Sequence, residues 1–147
     1  PKFKGLLTTG IIGDKKVYAI KPLTFMNNSG ICIRELIEYF RINSKDVIVF
    51  HDDLDINFGK IKAKFGGASA GHNGIESIDK FIGKDYSRVR IGIGKPNGKT
   101  NVADHVLKDF DQEEKQELEN ITNSIINSLK ILLDKKLELF SSTVNNK

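Results

Sequence analysis

The stretch Val47-Ile48-Val49-Phe50-His51-Asp52-Asp53-Leu54-Asp55 joins four consecutive apolar residues to a cluster of charge. An unbroken apolar run of this length, rich in β-branched residues, predicts a central buried strand, because a half-exposed strand would alternate. Upstream, Ile33, Leu36, Ile37 and Phe40 recur at helical spacing and predict an amphipathic helix ending near Arg41, with Asn27, Asn28 and Ser29 as candidate N-caps. Earlier still, Phe3–Ile12 and Lys16–Lys21 are β-prone runs around Gly13-Asp14, which reads as a hairpin, and Lys21-Pro22 breaks the second run.

Downstream, Lys60–Phe65 alternates lysine with apolar residues, the period of a strand with lysines on one face. Gly66–Gly74 is a glycine-rich loop, and Ile75, Ile78 and Ile82 mark a short helix. Arg88–Ile93 alternates again, Val89, Ile91 and Ile93 against Arg88, Arg90 and Gly92. Gly94–Thr100 reads as a loop and Val102–Leu107 as a helical turn carrying a structural His105. Gln112–Phe140 reads as one long helix with a stripe of Leu118, Ile121, Ile125, Leu129 and Leu132, followed by a frayed polar tail, Ser141–Lys147. Strands interleaved with helices, without repeat or linker, predict a single α/β domain over residues 1–147. Its sheet is mixed and largely parallel, flanked by helices, with a C-terminal amphipathic helix.

Composition narrows the function. With 39% hydrophobic and 29% charged residues in 147, the chain has the balance of a globular protein rather than a disordered one. No run approaches the roughly 18 apolar residues of a membrane helix, so no membrane partner is expected. The single cysteine, Cys32, excludes an intramolecular disulfide and points to a reducing cytoplasm. A net charge of +4 permits a polyanionic partner. The chain opens at Pro1 without a Met or a signal-peptide pattern, as though a segment preceded it.

Three polar clusters interrupt the apolar elements. In Thr24-Phe25-Met26-Asn27-Asn28-Ser29-Gly30, capping accounts for one residue, with Phe25 and Met26 as core. It does not account for two adjacent amides, which offer the donor and acceptor pair suited to a peptide backbone. In His51-Asp52-Asp53-Leu54-Asp55 the carboxylates repel one another and need partners. Asp52, beyond the apolar strand, stands where α/β sheets bind ligands, whereas a solvated turn accounts for Asp53 and Asp55. No second His/Asp cluster has ligand spacing, so no metal is expected. In Gly66–Gly74 the glycines can bring backbone N–H groups to an anion, and His72-Asn73 exceeds what a plain turn needs. The lysines at 60, 62 and 64 read first as protection of an edge strand and second as a phosphate-binding stripe that Arg90 extends. Cys32 lies off the helix stripe with no base nearby and reads as packing.

Together, Lys21–Gly30, His51–Asp55, Gly66-Gly67 through Gly74 and Arg88–Gly94 resemble bacterial peptidyl-tRNA hydrolase in order and spacing. The resemblance implies an esterase that cuts the ester between peptide and tRNA in peptidyl-tRNA and so recycles tRNA from abortive translation. It assigns Asp52 to orienting a general-base histidine. The resemblance also implies that Asn27 and Asn73 bind the peptide backbone and help place water, that Met26 lines the cleft, and that His72 lies at the cleft near the tRNA end. By the same resemblance Lys62, Lys64 and Arg90 match the basic positions that hold the acceptor-stem phosphate, and the partner is the acceptor stem and terminal CCA of peptidyl-tRNA. An ester needs only water, a base and polarising donors, so no cofactor is implied.

The family opens with a strand, a Gly-Leu-Gly-Asn-Pro-Gly-type turn and a Thr-Arg-His-Asn segment bearing the catalytic histidine. None of these occurs in the chain, so the domain is expected to be N-terminally incomplete. The expected enzyme is a cytoplasmic monomer. The alternative is a non-catalytic RNA-binding protein on the same fold, like the family's splicing-factor relatives.

Overall fold

The computed structural model describes residues 2–25, 28–69, 71–94 and 111–146. Its backbone contacts divide the chain into two compact units, residues 1–48 with 65–87 and residues 49–64 with 88–147.

The first unit holds the predicted hairpin. Strand β1 (Gly5–Ile12) pairs antiparallel with β2 (Lys15–Pro22) across Gly13-Asp14. Helix α1 (Ser29–Phe40) follows and ends in a left-handed Arg41, as its apolar spacing predicts. Helix α2 (Asn73–Ile82) packs against it. The approach is close because α1 presents Gly30, whose N–H donates to Ser77 Oγ at 2.9 Å. Cys32, Ile33, Leu36, Ile75, Ile78 and Tyr86 form this unit's core, and the Tyr86 hydroxyl donates to Asp79 at 2.7 Å. Burial pushes the Cys32 thiol up, reinforced by Glu35 and opposed by Lys4, so it stays protonated at neutral pH as a packing residue does. An aromatic cluster of Phe3, Tyr18, Tyr39 and Phe40 ties the hairpin to the end of α1, with Tyr18 and Phe40 centroids 4.2 Å apart. Phe25, read as core, is instead 83% exposed.

The second unit is built on strands β3 (Ile48–Asp53), β4 (Ile61–Phe65) and β5 (Ser87–Gly92), in the order β3-β5-β4. Their end residues Ile48, Phe65 and Ser87 group with the first unit. Bonds from Ser87 N–H to Val47 O and from Ile93 N–H to Asp53 O advance together, so β3 and β5 are parallel. Bonds from Gly66 N–H to Tyr86 O and from Gly92 N–H to Lys60 O run oppositely, so β4 is antiparallel to β5. The sheet is therefore mixed, as expected, but only one of the three described pairings is parallel. The central strand is β5, not the apolar run that predicted it. Its successive residues Arg88 and Val89 are 2% and 0% exposed, so both of its faces are covered. β3 lies at an edge among the described strands, and its Phe50 is 44% exposed.

The predicted long C-terminal helix is three helices, α3 (Gln112–Asn127), α4 (Leu129–Leu133) and α5 (Leu137–Asn145). Asp111 and Glu114 form a reciprocal capping box that starts α3. The chain turns at Lys135, whose φ is 62°, and this lets Leu132, Phe140 and Val144 all enter the core with Ile61 and Val89. The tail is accordingly not frayed. Asn145 accepts from Ile61 N–H at 2.9 Å and donates to Ile61 O at 2.8 Å. Ser141 Oγ accepts from Ala63 N–H at 2.8 Å. These side chains satisfy the outer edge of β4, which would otherwise offer unpaired backbone groups. Asn145→Ala should cost about 1–3 kcal/mol in urea unfolding, because it strips both partners from a buried residue's backbone. A loss below about 0.5 kcal/mol would place the tail elsewhere.

Candidate functional site

Asp52 stands one residue before the end of β3 and is half-buried. The preceding His51 ring lies with Nδ1 2.8 Å from the Asp52 carbonyl oxygen. A carbonyl can only accept, so Nδ1 carries the proton and the imidazole is tied to its own strand. Asp53 follows and uses both carboxylate oxygens. Oδ1 accepts from Asp55 N–H at 2.8 Å, an Asx turn that closes the chain after β3. Oδ2 faces Arg90 Nη1 at 3.5 Å across the β3–β5 pairing. Arg90 thus joins the acidic cluster, a partnership that strand alternation could not reveal. Asp53, read as a solvated turn residue, is the site residue that sequence reasoning missed. The available signal was the Asp53-x-Asp55 pattern of an Asx turn.

Lys62 and Lys64 lie on β4 and are exposed, on the same three-stranded sheet as Asp52 and Arg90. The edge of β4 is already satisfied by Asn145 and Ser141, so guarding the edge does not account for these lysines.

In the first unit, Gly66, Gly67 and Gly71 adopt φ of 70°, 107° and 81°, a path that side-chain-bearing residues rarely follow. The loop delivers His72 as the N-cap of α2. His72 Nδ1 accepts from Ile75 N–H at 3.2 Å, so the ring's proton sits on Nε2. The imidazole therefore has the structural use that the sequence did not suggest, and its orientation is fixed. Asn73 opens α2 and is exposed. Met26 and Asn27 lie outside the described residues, as do Val102–Leu107 and His105. Among the described residues, no group of three or more His, Cys, Asp or Glu side chains could hold a metal ion, and no helix is long and apolar enough to cross a membrane.

The second unit thus carries a carboxylate cluster at the end of β3 with Arg90, Lys62 and Lys64 on the same sheet, and the first carries a capping imidazole next to an exposed amide. The family model for peptidyl-tRNA hydrolase matches residues 1–147. The chain is 80% identical over 147 residues to the peptidyl-tRNA hydrolase of Pelagibacter ubique, a match covering 100% of the chain and 79% of that protein. It is 43% identical over 144 residues to that of Gluconobacter oxydans, covering 97% and 76%. A crystal structure of peptidyl-tRNA hydrolase from Acinetobacter baumannii superposes with a TM-score of 0.89 at 32% identity, covering 99% of this chain and 74% of that one. The chain belongs to the peptidyl-tRNA hydrolase family.

Proposed function

We propose that the protein hydrolyses the ester between peptide and tRNA with Asp52 orienting a general-base histidine that is not among these 147 residues, while Lys62, Lys64 and Arg90 hold a phosphate of the acceptor stem. Family membership makes the protein an esterase acting on peptidyl-tRNA. Its relatives in the comparison are hydrolases, which favours the enzyme over the non-catalytic RNA-binding alternative.

In this reading the Asp52 carboxylate fixes the tautomer of an imidazole that takes a proton from water, and stabilises the imidazolium as it forms. The resemblance gives that role to a histidine with no counterpart among these 147 residues. His51 and His72 suit it poorly, since each has Nδ1 committed to backbone. Asn73, His72, Asn27 and Met26 are assigned to the peptide and to the CCA end. His72 in its Nε2–H tautomer is a donor there, and the exposed Asn73 amide offers a donor and an acceptor.

The observation that carries the phosphate assignment is the edge of β4. Side chains of α5 satisfy its backbone, which leaves two exposed lysines without a protective task on a sheet that also presents Arg90. The double variant K62A/K64A should raise KM for peptidyl-tRNA about ten-fold and flatten the salt slope of binding by up to about two. An unchanged slope returns both lysines to a merely solvated face.

A further inference from the structure

We infer that Asp53 is a positioning residue that holds Arg90 in reserve and competes with an incoming phosphate for it, a role that rests on the phosphate assignment of Arg90. The Asp53 and Arg90 side chains are 10% and 32% exposed, so the pair is largely withdrawn from water. Their strands are bonded at this level, with Ile93 N–H donating to Asp53 O at 3.1 Å. Yet the pair itself is poor. Its one contact is 3.5 Å, at the outer limit for a hydrogen bond. Arg90 Nε is buried with no acceptor among the described residues. A guanidinium with one long bond and one orphan donor gains from any better-shaped acceptor. A phosphate is such an acceptor, because two of its oxygens match the guanidinium fork.

Asp53 and an incoming phosphate therefore compete for one cation. The carboxylate lowers the site's apparent affinity and rejects anions too weak or too misplaced to displace it. Release of Arg90 frees Oδ2, while Oδ1 still closes the turn through Asp55 N–H. Asp52 is the next residue back along the strand, so losing the Oδ1 acceptor that closes this turn would disturb the strand end that carries Asp52.

The test uses the full-length protein and peptidyl-tRNA, with KM and kcat measured across a potassium chloride series. Asp53→Asn keeps the turn acceptor and removes the charge. It should lower KM about two- to five-fold, the scale of a partly exposed ion pair, and steepen the salt slope by up to about one. Asp53→Glu should restore KM and slope toward those of the parent. Asp53→Ala also removes the turn acceptor and should lower kcat more than Asp53→Asn does. In an Arg90→Ala background, Asp53→Asn should leave KM unmoved. If Asp53→Asn fails to fold, Asp53→Ser keeps a turn acceptor without the charge and carries the same expectations. An unaltered KM and slope in the charge-removing variant overturns the inference, as does the same shift with and without Arg90. Arg90→Ala with unchanged KM overturns instead the phosphate assignment on which the inference rests.

Discussion

Asp52→Ala in the full-length protein lowers kcat for peptidyl-tRNA by about 10²–10⁴-fold, the range expected when a general base loses its orienting carboxylate. Affinity for tRNA stays within about three-fold, because an orienting group acts on the transition state and little on the bound substrate. Single-turnover hydrolysis at saturating enzyme measures the first quantity, and tRNA binding at fixed salt the second. Asp52→Asn separates charge from shape. The amide fills the same half-buried place at the end of β3 but cannot stabilise an imidazolium, so most of the loss should persist. Equal losses in turnover and binding would sink the base-orienting role and recast Asp52 as part of the binding surface.

Gly30→Ala destabilises the fold even though alanine is the better helix former. Two terms oppose each other. Replacing a helical glycine gains about 1 kcal/mol of propensity. A Cβ at position 30, however, would lie 2.2 Å from Ser77 O and 2.6 Å from Phe81 Cδ2. The first of these neighbours is backbone, so α1 and α2 must separate, with a cost at the upper end of about 1–3 kcal/mol or beyond, and the Gly30 N–H to Ser77 Oγ bond lengthens. The clash wins by about 2 kcal/mol, which lowers Tm by about 4–8 °C in a domain of this size. A rise in Tm, as propensity alone predicts, would mean that the helices do not meet at Gly30.

The periodic elements were legible because their burial is one-sided. Ile33, Leu36, Ile37 and Phe40 announce α1, and Gly13-Asp14 between β-prone runs announces the hairpin. The strand Val47–Phe50 was legible as a strand but not in its place. An apolar run records that a segment favours burial, not which neighbours it finds, and the central position went to β5 with its two arginines. The C-terminal stripe concealed two breaks, since neither glycine nor proline marks Ser128 or Lys135. The left-handed Lys135 is held by what the turn achieves, the burial of Leu132, Phe140 and Val144.

The candidate site divides in the same way. Residue types and their order along the chain singled out Asp52, His72 and Asn73, and the resemblance to the family moved the lysines from edge protection to the candidate site. Partnerships did not follow from order. Arg90 meets Asp53, 37 residues away, because parallel pairing sets β3 beside β5. Asn145 meets Ile61, 84 residues away, because α5 folds back along β4. The sequence by itself determined the family, the elements and the chemical groups on offer, all carried by local spacing. Which cation Asp53 faces, and which side chains satisfy the edge of β4, only the tertiary structure decided, because hydrogen bonds and ion pairs act over a few ångströms between groups far apart in the chain.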